Sequence, residues 1–60
     1  MKVGDKAIAK DGFHTFNAQS EITFVGIDYG ETMLYLFRGL VDGKEVVQEL
    51  HESEFEWKVN

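Results

Sequence analysis

Apolar and polar residues alternate with a period of two through most of the chain, the spacing of half-buried β-strands. In Val3-Gly-Asp-Lys-Ala-Ile-Ala9, Val3, Ala7 and Ala9 share one parity and Lys6, Ile8 and Lys10 the other, predicting a first strand with small residues on its inner face. Small side chains let a facing strand come close, as a tightly closed barrel requires; a plain edge strand is the alternative. Asp11-Gly12 breaks this strand. Phe13-His-Thr-Phe-Asn-Ala-Gln-Ser20, with two rings among polar residues, predicts a long structured loop. Glu21 to Ile27 predicts a second strand, with Ile22 and Phe24 on one side and Thr23, Val25 and Ile27 on the other. Gly26 interrupts the first parity and marks a bend or bulge, and Asp28-Tyr-Gly30 signals the next turn.

Asp42-Gly43 stands between Met33-Leu-Tyr-Leu-Phe37 and Val46-Val-Gln-Glu-Leu50, two runs rich in branched and aromatic residues. This is a strong hairpin signal, predicting strands over Thr32 to Leu40 and Lys44 to Leu50. His51 to Phe55 is too short for an independent α-helix and predicts a single 3-10 turn that carries Phe55 into one end of the fold. Glu56 to Val59 supplies a fifth strand. A helix over Val46 to Trp57 fits poorly, because Glu54 occupies the position four beyond Leu50 and the valine pair favours a strand.

The hairpin admits two registers, which bury opposite faces. A two-residue loop, with Asp42 and Gly43 both at positive φ, sets Tyr35 opposite Leu50 and Phe37 opposite Gln48 and leaves Leu34, Leu36 and Val47 on a face with Glu45 and Glu49. A three-residue loop, Val41 to Gly43 with only Gly43 left-handed, sets Leu34 opposite Leu50, Leu36 opposite Gln48 and Arg38 opposite Val46. Leucine is more often fully buried than tyrosine, which favours the three-residue loop and turns Tyr35 and Phe37 outward.

Sixty residues allow one domain, residues 1–60, and a domain this small buries only about 60% of the surface its unfolded chain exposes. Without cysteine, neither a disulfide nor a thiolate zinc site adds to the core, and a cytoplasmic setting is expected. No apolar run approaches a spanning helix or a leader segment, so neither membrane insertion nor secretion is expected. Eleven acidic against six basic side chains give a net charge of −5. The surplus gathers around Glu21, Asp28 and Glu31 and again over Glu49, Glu52, Glu54 and Glu56. Nucleic-acid binding rests on a cationic footprint that this chain mostly lacks.

The Val3 to Ala9 opening, the Asp11-Gly12-Phe13 loop, the Asp42-Gly43 hairpin and the Leu50 to Phe55 turn together resemble the SH3-like small barrels, especially Tudor-like domains. The resemblance covers most of the chain in order of elements. It implies an all-β fold, a five-stranded antiparallel SH3-like small barrel with a short 3-10 turn before the last strand. Tudor-like domains read methylated side chains with an aromatic cage, for which Phe13, Phe16 and Tyr29 are the rings near the loops here, although Phe13-His14 stands where that family carries paired Trp/Tyr. KOW-type barrels, which bind RNA or ribosomal proteins, are similar in layout but basic.

Chemistry is sparse. His14 and His51 have no spacing that preorganises a metal site with Glu52 or Glu54. Ser20 and Ser53 lie in no nucleophile motif, Glu52, Glu54 and Glu56 read as a solvated alternating row, and the glycines form no phosphate loop. No catalytic residue, metal or cofactor is therefore expected. Five Phe, two Tyr and one Trp exceed what so small a core needs, which points to exposed rings. The expectation is a non-catalytic module binding a protein or peptide, favouring a basic one, through Phe13, Phe16, Tyr29, Tyr35 and Phe37 with carboxylates at the rim. A strand edge offers a second route, to an extended peptide or to a weak homodimer. The alternative is a nucleic-acid accessory protein, contacting nucleic acid through Lys2, Lys6 and Lys10 or mimicking it with its carboxylates.

Overall fold

The computed structural model describes residues 1–59, and its elements, in chain order, are β1 (Lys6–Ala9), β2 (Glu21–Tyr29), β3 (Met33–Val41), β4 (Lys44–Leu50), a 3-10 turn (Glu52–Glu54) and β5 (Phe55–Trp57). All neighbouring strands run antiparallel in one sheet of order β4-β3-β2-β1-β5. No helix among the described residues is long and apolar enough to cross a membrane.

β1 starts later than the alternation predicts. Gly4 has φ 98° and Asp5 N–H donates to the Lys2 carbonyl, so the chain turns before Lys6 and leaves Val3 exposed. Ala7 and Ala9 are fully buried, as their parity predicts, and β1 lies between β2 and β5 rather than at an edge. β2 continues past Ile27 to Tyr29, which moves the turn from Asp28 to Gly30–Thr32. At Gly26 the pairing with β3 slips: Phe24 stands opposite Phe37 but Gly26 opposite Leu36, leaving Val25 as the extra residue of a bulge. The inward phase therefore passes from Ile22 and Phe24 to Ile27, which packs on the core.

The β3–β4 hairpin takes the two-residue register. Asp42 and Gly43 have φ 51° and 79°, Val41 pairs with Lys44, Phe37 with Gln48 and Tyr35 with Leu50. This corrects the expected three-residue loop and the outward placement of Tyr35 and Phe37, both of which are core. The physical reason lies in whole rows rather than in leucine against tyrosine. The three-residue register would turn Arg38 inward, and an unpaired buried guanidinium is costly. The observed register turns Gly39 inward, and Phe16 packs where a side chain would stand: a Cβ on Gly39 would lie 2.9 Å from Phe16 Cε1 and 2.9 Å from Ile22 Cγ2. The turn with two positive φ values also matches the right-handed twist of the flanking strands.

The core is largely a network of rings. Phe37 and Phe55 lie 4.6 Å apart between centroids, Tyr35 and Phe55 5.1 Å, and Phe24 and Trp57 5.5 Å. β3 and β5 are three positions apart in the sheet, about 14 Å if it were flat. Contact between Phe37 and Phe55 thus requires the sheet to curl around its inner face, although β4 and β5 do not pair.

Candidate functional site

The loop between β1 and β2 is fastened to the inner side of the sheet by polar groups. Thr15 N–H donates to Gln48 Oε1 at 2.9 Å and Gln48 Nε2 returns a bond to Thr15 Oγ1 at 2.7 Å, which explains a glutamine on the inward row of β4. Glu54 is buried, correcting its assignment to a solvated row. Its Oε2 accepts from Phe13 N–H and its Oε1 from His51 N–H. Burial alone would push this carboxyl up, but those two backbone donors, with the charges of His14 and His51 nearby, hold it below its ordinary value. The charges of the two imidazoles that sequence spacing leaves apart are thus both felt at Glu54. His14 Nε2 bonds the Lys10 carbonyl at 2.6 Å, and its buried Nδ1 has no partner. Among the described residues no three His, Asp or Glu side chains converge as metal ligands.

This clasp disperses the expected aromatic set. Phe16 is buried, tilted against His14 at 5.7 Å and seated over Gly39, so its expected outward placement is corrected along with those of Tyr35 and Phe37. Phe13 is wholly exposed and Tyr29 is 78% exposed, and neither joins the ring network of the core. With Phe16 inside, the three loop rings do not form a cage.

The outer face of β2–β3–β4 has the opposite character. Leu34, Leu36, Arg38 and Leu40 form the outward row of β3, bordered on β4 by Glu49 beside Leu36, Val47 beside Arg38 and Glu45 beside Leu40. Asp28 of β2 stands beside Leu34. Leu40 and Val47 are 65% and 56% exposed, and a depression of about 310 Å³ opens here, lined in part by Thr23, Arg38, Leu40 and Glu45. The carboxylates crowd one end: loss of solvation first, and then the charge and hydrogen bonding of Asp28, push the Glu49 carboxyl above its ordinary value. At the other end Arg38 Nε lies 3.8 Å from Glu45. Two further cations are engaged within the fold, Lys6 with Thr23 Oγ1 at 2.8 Å and Lys58 with Glu21 at 2.6 Å. The two-residue register implies this face from the sequence, and the preference for the three-residue loop sets it aside; Arg38 on the leucine row is the signal that locates it.

Compared with protein-family models, with curated proteins and with solved structures, the chain matches none.

Proposed function

We propose that this chain is a small non-catalytic binding module, its sheet the SH3-like, Tudor-like barrel layout that the sequence resembles, and that its partner is a basic protein or peptide. The strand order, the tight β3–β4 turn and the 3-10 turn before β5 support the layout. The observation that carries the binding reading is the exposed Leu40 and Val47 set among Asp28, Glu45 and Glu49, on a sheet face whose cations Arg38 and Lys6 lie against Glu45 and Thr23. Apolar surface whose rim is mostly carboxylate suits a partner with apolar side chains between cations. Of the expected rings, Phe13 and Tyr29 are free to add contact area.

The test is fluorescence anisotropy with two pools of labelled, unstructured peptides matched in length and apolar content, one carrying two lysines per peptide and the other two glutamates. Saturable binding of the lysine pool that weakens with added salt supports the proposal. Equal indifference to both pools, or preference for the glutamate pool, contradicts it.

A further inference from the structure

The free edge of β4 adds direction to this surface. In a hairpin closed by two residues, Val41 and Lys44 exchange the first pair of ladder bonds, and the hydrogen-bonded pairs then recur at Gly39–Val46, Phe37–Gln48 and Tyr35–Leu50. The backbone N–H and C=O groups of Glu45, Val47 and Glu49 therefore point away from β3. Among the described residues no backbone or side-chain hydrogen bond from the rest of the chain meets them, and all three residues are exposed. Their side chains lie on the outer face beside the leucine row, so edge and face form one continuous surface.

We infer that this edge accepts an extended basic peptide as an added antiparallel strand, with an apolar residue paired to Val47 and a lysine or arginine two positions to either side, paired to Glu45 and Glu49. The inference rests on the binding-module reading and deepens it. Charge selects the occupant. If a second copy of β4 added antiparallel with full overlap, centred on Val47, each Glu45 would face the other copy's Glu49, and like charges directly opposite are destabilising. A peptide with alternating cations turns both pairs into attractions. The end at Glu49 gains more, because Asp28 already crowds that carboxyl whereas Arg38 stands near Glu45.

The test is a heteronuclear titration of the wild-type domain with acetyl-Thr-Lys-Thr-Val-Thr-Lys-Thr-amide and with two singly N-methylated forms. A methyl on the valine nitrogen removes the donor aimed at β4; a methyl on the following threonine removes one aimed at solvent. Expected are saturable shifts at the Glu45, Val47 and Glu49 amides, binding weakened about tenfold or more by the valine methyl, and little change from the threonine methyl. Glu49→Lys is expected to weaken binding of the unmethylated peptide more than Glu45→Lys does. Equal affinity of both methylated forms, or the absence of saturable shifts at those three amides, overturns the inference. Shifts confined to Phe13 and Tyr29 overturn it while leaving the binding-module reading in place, which the peptide pools test independently of strand addition.

Discussion

Phe13 and Glu54 are joined across 41 positions by a hydrogen bond of 2.6 Å from the Phe13 N–H to Oε2 of the buried carboxylate. The approach is so close that a Cβ on Gly12 would collide with the Glu54 side chain and displace its carboxylate from the clasp. With Oε1 bound to His51 N–H, one side chain ties the β1–β2 loop to the 3-10 turn.

The Glu54 clasp makes stability depend on pH. Its carboxyl is held below the ordinary 4.5, so its contribution is complete above that value and is lost as pH falls through the lower folded value. Glu54→Gln has one acceptor oxygen for two backbone donors, and Glu54→Ala has none. At neutral pH the alanine variant is expected to lose about 2–3 kcal/mol in urea unfolding, and the glutamine variant less. The gap between wild type and Glu54→Gln should narrow as pH falls below 4.5. A gap independent of pH would contradict the role of the ionised carboxylate.

The turn at Asp42 and Gly43 gives a second outcome. Gly43 has φ 79° with open space around its Cα, so Gly43→Ala meets no neighbour and pays only for a left-handed backbone, about 1–2 kcal/mol. Asp42→Asn should leave stability equal or slightly higher, since asparagine is favoured at positive φ in this turn. Thermal melts of the two variants measure both effects. A neutral Gly43→Ala would show that the turn is not of this type.

Gly39 and Phe16 should be energetically coupled. Gly39→Ala places a Cβ against Phe16 and Ile22 and is expected to cost about 1–3 kcal/mol by overpacking. Phe16→Leu removes the ring atoms that the new methyl strikes, so the double variant should lose less than the two single losses combined. Strict additivity in a double-mutant cycle would place Phe16 elsewhere.

Much of the fold is legible in the residues, because strands announce themselves locally. The parity of Ala7 and Ala9, the interruption at Gly26, the span of β4 and the short turn before Phe55 all follow from neighbours in sequence. The register is legible only when whole rows are compared. Leucine against tyrosine points one way, and Arg38 and Gly39 on the competing rows point the other and prevail. Glu54 is illegible for a different reason. Its partners are a loop amide 41 positions away and an amide three positions before it, so alternation with Glu52 and Glu56 makes a buried clasp look like a solvated row. The candidate rings were lost with the register and the clasp, and the leucine face was gained with them.

Crowding of carboxylates on that face is directly measurable. Loss of solvation and then Asp28 raise the Glu49 carboxyl above 4.5, so Asp28→Asn should bring it part of the way back while the solvation effect remains. Because a raised value means that ionised Glu49 opposes folding, the same variant should gain stability at neutral pH. Carboxyl carbon shifts followed through a pH titration check the first outcome and urea unfolding the second. An unchanged Glu49 titration would separate the two side chains.

The face offered to a partner, the edge open to an added strand and the burial of Tyr35 and Phe37 all depend on the β3–β4 register. Cross-strand Hα–Hα nuclear Overhauser effects read it directly, because facing residues that do not exchange hydrogen bonds bring their Cα atoms closest. The two-residue loop predicts strong effects for Leu40–Glu45, Arg38–Val47 and Leu36–Glu49. Strong effects for Gly39–Glu45, Phe37–Val47 and Tyr35–Glu49 instead, the close pairs of the three-residue loop, would reverse the two faces and contradict the account.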